Sequence, residues 1–345
     1  NILNNDYYEA SRIFHPSKHW ERLNKLNQDW LLHDGLDFFK RTVNNNYFNW
    51  MVTINSTYFK KVFISYILSI LKKPQKIMDL FYINIKEMFC RSYIKNSYHP
   101  NWLEKKIYAL YVLFLYDFAL KNDNLGYLKN LEEPNIGNPI FVKVNKKRIS
   151  QDISNSYMEY NYLRNSLGTH YSKIKIIAEI GSGYGRLAYI FNILEKDPDF
   201  KLILIDLPPA LFIAQWYLKK TFPDSKIMMY RKFSKFQEVE ELINASRIIF
   251  LLPHQLEKLP ENLIDLLINI SSLHEMSRDQ INHYYQLINQ KAKYFYSKQY
   301  FHWENKDDNI IVPSVIYPTR PHWELINARI NPVHNEFFEA LFKIK

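Results

Sequence analysis

Seven glycines serve a chain of 345 residues, and three of them, Gly181, Gly183 and Gly185, fall within five positions. Only glycine takes a positive φ freely and leaves the main chain open to close approach, so this turn is expected to meet a ligand. Asp206 follows Gly185 by about 20 residues, the interval at which a nucleotide-binding βαβ unit sets the acid that takes ribose hydroxyls. A second kind of chemistry sits at His274 and Glu275. An imidazole exchanges protons near neutral pH, and a carboxylate either orients it or accepts the proton itself. Adjacent side chains in an extended loop point opposite ways, so one of the pair is expected to face a substrate. Lys298 and His302 are the reserves for that role.

The elements that must hold these residues can be read around them. Ile176–Ile180 is an apolar run of the kind found in buried parallel strands, and the glycines follow it directly. Leu187, Ile190, Phe191 and Leu194 then recur with the spacing of a helix packing one face on a sheet. Lys201–Asp206 is a second strand. Pro208 and Pro209 open a helix over 210–220, Lys219 and Lys220 suit its negative end, and Pro223 stops it. Of Lys226–Tyr230 and Arg247–Leu252, the second is predicted to be the third strand. Its exit at His254 and Gln255 falls outside the carboxyl ends of the strands, where a nucleoside base is expected. Leu263–Ile270 is the next strand, emptying into Ser271–Met276. Ser277 and Gln280 form a capping box for a helix that buries Ile281, Tyr284, Tyr285 and Ile288. Lys293–Gln299 and Phe337–Lys343 are further strands, with a long irregular stretch between them.

Composition limits what this assembly can be. The 47% apolar content excludes disorder, and the single Cys90 excludes an intramolecular disulfide framework, so a reducing, cytoplasmic setting is expected. The apolar runs Val62–Leu71 and Ile107–Phe114 are far shorter than the ~20 residues of a membrane span. The sequence starts at Asn1, with no basic stretch and apolar core of a signal peptide. The net charge of +10 arises from scattered residues in a chain rich in Lys, Asn, Ile, Tyr and Phe, without a basic stripe or zinc spacing; no nucleic-acid partner is expected.

A nicotinamide or flavin site would read G-x-G-x-x-G, whereas here the third glycine comes two residues after the second and Arg186 follows. With Glu179 the run reads E-x-G-x-G-x-G, which resembles motif I of class I S-adenosylmethionine (SAM) methyltransferases. That resemblance implies a Rossmann-like α/β sheet and SAM as cofactor. It places Glu179 near the ammonium group, Gly181, Ser182, Gly183, Tyr184 and Gly185 around the ligand, and Asp206 with Leu207 at the ribose. His254, Gln255 and Ser271 complete the expected cofactor contacts.

Further segments narrow the resemblance. Gly137-Asn-Pro139, Ile149–Asp152 with Asn155-Ser156, Asp206–Pro209, Phe222-Pro-Asp224, Asn269–Met276 and Asn335–Leu341 are similar, in order and spacing, to a bacterial family of sugar O-methyltransferases. The match spans roughly residues 130 to 345, and Ser182 departs from it where a glycine is expected. The family implies methylation of a sugar hydroxyl in glycan or glycosylated-metabolite assembly, on an acceptor that is free, nucleotide-linked or carrier-linked. It also brings in Gln151 and Asp152 as substrate contacts, which the bare sequence reads equally well as a helix cap.

Residues 1–130, with Trp20, Trp30, Trp50 and Trp102 among helical stretches, form an expected α-helical N-terminal region. Its role as lid or homodimer surface is drawn by analogy; residues 131–345 are the expected methyltransferase domain. No ligand spacing calls for a metal, although a divalent ion could bind paired sugar hydroxyls and lower their pKa. Two rivals stand beside this reading: an NAD(P)-dependent oxidoreductase, and a non-catalytic protein that keeps the fold as a binding module.

Overall fold

The computed structural model describes residues 2–41, 57–72, 102–305, 308, 310–313 and 317–344. Trp50 and Cys90 lie outside them, as do the side-chain surroundings of Trp102. The chain divides into two compact units: residues 1–25, 163–331 and 336–345 form one, and residues 26–162 with 332–335 form the other.

The second unit is mostly helical. Helix α1 (Ile2–Glu9) belongs to the first unit and α2 (Lys18–Asp34) runs from one unit into the other. Helices α3 (Thr57–Leu71), α4 (Trp102–Lys121) and most of α5 (Gln151–Leu167) lie in the second, beside a hairpin of β1 (Val142–Val144) and β2 (Lys147–Ile149). Buried tyrosines, among them Tyr111, Tyr157 and Tyr160, fill its interior. The polar stretch near Ser150 is the start of α5. Ser150 Oγ accepts the Ile153 N–H at 3.1 Å, so Ser150 caps the helix and Gln151 and Asp152 occupy its first turn. No described helix is long and apolar enough to cross a membrane.

The first unit is built on an eight-stranded sheet. Its strands are β3 (Ile176–Ile180), β4 (Lys201–Ile205), β5 (Ile227–Met228), β6 (Ile248–Leu251), β7 (Ile264–Ile270), β8 (Ala292–Tyr300), β11 (Glu324–Ile330) and β12 (Phe337–Lys343). They lie in the order β11-β12-β8-β7-β3-β4-β6-β5; β3 to β8 run parallel, and β12 runs antiparallel to both neighbours. This is a doubly wound, Rossmann-like α/β sheet, the fold class expected from the sequence. Its central strands are mainly apolar, as in a sheet covered on both faces, and all seven residues of β7 are buried. Each fully buried Ile or Leu there contributes about 1.5–3 kcal/mol. Helices α6 (Arg186–Leu194), α7 (Pro208–Thr221), α8 (Glu240–Ala245) and α9 (Arg278–Lys291) complete the described helices of the unit.

The strand order reverses between β3 and β7. A crevice opens at such a point, outside the carboxyl ends of the two strands, because their connections leave in opposite directions. As expected, Arg247–Leu252 supplies the third strand, β6, beside β4. The segment 226–230 contributes only the two-residue edge strand β5.

The stretch expected to be irregular is not. It holds β9 (His302–Asn305) paired with β10 (Ile310–Pro313), and β11 at the edge of the main sheet. Edge strand β11 has no fully buried residue, so burial leaves no apolar period in its sequence to read.

Residues 1–25 fold onto this unit. Asp6 accepts a hydrogen bond from Tyr230 and pairs with Lys232 at 3.1 Å. Gln280 Nε2 donates to the carbonyls of Ile13 and His15 at 3.1 and 2.8 Å. The Asp308 carboxylate caps α2 by accepting the N–H groups of Lys18 and His19 at 2.9 and 3.1 Å.

Candidate functional site

The glycine turn sits at the point of strand reversal. Gly181, Gly183 and Gly185 have φ of 74°, 56° and 86°, values that cost an L side chain about 1 kcal/mol or more. A Cβ on Gly181 would lie 2.7 Å from Ser272 Cβ, so the turn after β3 has no room for a side chain against the turn after β7. The Gly181 N–H donates to Ile205 O at 2.8 Å, which ties the turn to the end of β4. Tyr184 packs its ring edge-to-face on Tyr217 at 5.1 Å.

Asp206 comes next along the crevice. Its Oδ2 accepts the Gly183 N–H at 2.6 Å and its Oδ1 accepts the Leu207 N–H at 2.6 Å. Withdrawal from water nevertheless dominates and pushes its carboxyl up to about 7, with the two backbone donors opposing. Ser182, between two of the glycines, is 4% exposed, and its Oγ has no hydrogen-bond partner among the described residues. Buried polar groups are rarely left so, and a ligand is one common explanation. Glu179 is buried on β3, two residues before the turn.

Beyond β6, the two residues expected at a nucleoside base behave differently. His254 is buried, with Nε2 3.3 Å from Asp6 Oδ2 and Nδ1 unpartnered among the described residues. Burial holds its pKa below the usual imidazole value, against the pull of Asp6. Gln255 spends its amide on the backbone: Oε1 accepts Leu252 N–H and Nε2 donates to Arg231 O, each at 2.9 Å.

The turn after β7 carries the second kind of chemistry. Ser271 takes φ of 57°, a left-handed conformation that costs a non-glycine residue about 1–3 kcal/mol, while its N–H donates to Lys298 O at 2.8 Å. Below it, Asn269 Nδ2 donates to Ile180 O at 2.8 Å and Ser272 Oγ at 2.6 Å. Gln299 Nε2 donates to Asn269 Oδ1 at 2.5 Å, and Gln299 Oε1 lies 3.0 Å from His274 Nδ1. His274 is 1% exposed, wedged edge-on between Tyr300 and Trp303 with ring centroids 4.9 Å away in each case. Burial pushes its pKa down to about 4, so the ring is neutral and donates from Nδ1 to Gln299.

Glu275 points elsewhere. Its Oε2 accepts the indole N–H of Trp20 at 2.8 Å, and its Oε1 is 3.8 Å from His274 Nε2. Burial pushes its carboxyl up to about 8; the Trp20 bond opposes this, and the charge of Asp206 adds to it. Tyr7 and Tyr284 feel the same Asp206 charge, which together with burial raises both phenols. Asp206 and Glu275 therefore share one neighbourhood, flanked by residues of the N-terminal arm.

Other expected contacts have neighbours of their own. Gln151 and Asp152 belong to the other unit, where Gln151 Oε1 accepts the Tyr108 hydroxyl at 3.1 Å. Lys298 is buried on β8 with Nζ 5.7 Å from the Phe337 ring. His302 is exposed on β9, 3.3 Å from Glu304. Among the described residues no cluster of three or more His, Cys, Asp or Glu is placed to hold a metal. Sequence reasoning missed Tyr7, Trp20 and Gln299 as parts of the site. No local pattern marks them.

No family profile and no curated protein matches the chain. Solved structures do. Magnesium protoporphyrin IX methyltransferase (ChlM) from Synechocystis PCC 6803, with bound SAM, is similar over 73% of this chain and 100% of its own, at 10% identity and a TM-score of 0.38. The 1,6-didemethyltoxoflavin-N1-methyltransferase of Burkholderia thailandensis is similar over 56% of this chain and 85% of its own (14% identity, TM-score 0.35). For the mitomycin 7-O-methyltransferase MmcR the figures are 55%, 56%, 12% and 0.32. These likenesses are remote, and the description of the sheet stands on its own strand order.

Proposed function

We propose that this chain is a SAM-dependent O-methyltransferase acting on a sugar hydroxyl. The observation that carries the cofactor assignment is the junction of the glycine turn with Asp206: a backbone held open where β3 and β7 diverge, bonded through Gly183 to a carboxylate at the end of β4. The residues fit the group. Gly181 has no room for a Cβ against Ser272, and Ser182 Oγ is a buried polar atom without a partner among the described residues. Burial keeps Asp206 and Glu275 from ionising, and Glu179 adds a third carboxylate on β3. A pyrophosphate would oppose their ionisation further, whereas a ligand with ammonium and sulfonium charges favours the charged form of both desolvated acids. This charge balance favours SAM over a dinucleotide.

In this reading Asp206 holds the ribose hydroxyls, Glu179 the amino group, and His254 Nδ1 is available to the base. SAM supplies a methyl group for in-line displacement by an acceptor oxygen. Glu275 is the base that takes the hydroxyl proton, since its carboxylate is reactive near pH 8 while His274 is buried, neutral and bonded to Gln299. Trp20 orients Glu275, and the Asn269–Gln299–His274 network fixes the turn that carries it. The sugar assignment rests on the family resemblance of residues 130 to 345. Incubation with SAM bearing a deuterated methyl group and a glycan acceptor, followed by tandem mass spectrometry, tests it: label is expected on a carbohydrate oxygen, and label on nitrogen or carbon only would overturn it.

A further inference from the structure

The side chains around Glu275 that the cofactor does not explain are aromatic, and two carry orphaned donors. The Trp303 ring lies tilted against Tyr300, with centroids 5.1 Å apart, and the Tyr300 ring lies 3.9 Å from that of Phe337. Its indole Nε1 is buried and has no hydrogen-bond partner among the described residues. Tyr317, 9% exposed, packs on Tyr285 at 6.4 Å and Phe338 at 5.7 Å, and its hydroxyl is likewise buried and unpartnered. The charge of Glu275 reaches both Tyr300 and Tyr317, and burial together with that charge raises both phenols. Trp20 joins them through its bond to Glu275.

A purely structural cluster would rarely leave two buried donors empty, because a buried donor without a partner loses its bonds to water and gains none in return. Aromatic faces suit the C–H surfaces of a pyranose, and an indole N–H and a phenol suit its hydroxyls. The electrostatics add a constraint: Glu275 and Glu336 both act on Tyr300, and Asp206 acts on Glu275. The ammonium of Lys298 lies against Phe337.

We infer that Trp20, Tyr300, Trp303 and Tyr317 form the acceptor subsite around Glu275, and that the sugar ring it takes is uncharged, with Trp303 Nε1 and the Tyr317 hydroxyl binding its oxygens. The inference rests on the methyltransferase reading and adds the substrate class: a neutral glycoside, with any phosphate or carboxylate carried outside this ring. A negative charge on the ring would push the already raised Glu275 carboxyl still further from the ionised form that its role as base requires.

The test titrates the whole chain, saturated with S-adenosylhomocysteine, with neutral methyl pyranosides (gluco, manno, galacto and rhamno) and with glucuronate and glucose 6-phosphate, following tryptophan fluorescence. At least one neutral pyranoside is expected to bind at least tenfold more tightly than either acidic sugar. Tyr317→Phe and Trp303→Phe should each weaken it roughly tenfold, the loss of one hydrogen bond, without changing S-adenosylhomocysteine affinity. Tyr317→Phe removes a single unpartnered oxygen, so it keeps the test readable if Trp303→Phe fails to fold. Failure of every neutral pyranoside to bind, equal binding of the acidic sugars, or unchanged binding in Tyr317→Phe would overturn the inference. Failure of the wild type to bind S-adenosylhomocysteine would instead overturn the methyltransferase reading beneath it.

Discussion

The two ends of the crevice are made in opposite ways. At the β3–β4 end, Gly181 to Asp206 is one continuous piece of chain, and the Asp206 carboxylate is held by backbone N–H groups alone. At the β7 end, Glu275 is held by Trp20, a residue 255 positions away, and its turn is braced by Gln299 and covered by Trp303. Backbone holding tolerates few changes, because the turn works only without a Cβ. Side-chain holding can be retuned one residue at a time. The first end suits a fixed cofactor and the second a variable substrate.

The sharpest break at the first end is Gly181→Ala. The new methyl must displace Ser272, itself bonded to Asn269, at a backbone angle that alanine avoids. A loss of about 2–4 kcal/mol in unfolding free energy is expected from denaturant titration, with loss of cofactor binding. A stability equal to wild type would mean the two turns are not packed together.

At the second end Glu275→Gln should lower kcat about 10²–10⁴-fold while leaving S-adenosylhomocysteine affinity within a few-fold. Wild-type kcat/KM should rise with pH through about 8, where the carboxyl ionises, and the residual activity of the variant should lack that limb. The same group sets a stability trend. Its folded pKa is raised, so its contribution is fully present below the unfolded value near 4.5 and is lost as pH rises through about 8. Glu275→Gln should therefore melt above wild type at pH 9 and nearly level with it at pH 4. A variant that melts lower at pH 9 would deny the desolvation of Glu275.

Gln299→Leu leaves His274 Nδ1 and Asn269 without their partner. A loss of about 1–3 kcal/mol is expected, with kcat falling more than affinity for the cofactor. The smallest effect belongs to Trp20→Phe, which removes the bond that lowers the Glu275 pKa. The kcat/KM limb should move to higher pH by less than about one unit. A limb that stays in place would separate Trp20 from the base.

This contrast also explains what could be read from the sequence. The glycine turn, Asp206, the order of β3, β4, β6, β7 and β8, and the Ser277–Gln280 capping box are set by spacings within about 30 residues, where period and turn chemistry are visible. Strand β11 was hidden because an exposed edge has no apolar face to betray it. Trp20 was hidden because the bond that matters joins the arm to a loop 255 positions further on, and nothing local distinguishes a tryptophan in a core from one that holds a carboxylate. The helix-cap reading of the segment at Gln151 and Asp152 was legible because Ser150 is a capping residue at the helix start.

In the proposed enzyme the glycine turn and Asp206 grip a sulfonium nucleoside. Calorimetric titration of the intact chain with S-adenosylhomocysteine and, separately, NADH, in wild type and Asp206→Ala, measures it most directly. S-adenosylhomocysteine should bind one per chain and weaken about 100-fold in the variant, as expected for charge-assisted bonds to a ribose, and NADH should not bind. Binding of NADH alone, or an affinity for S-adenosylhomocysteine that ignores Asp206, would contradict the account.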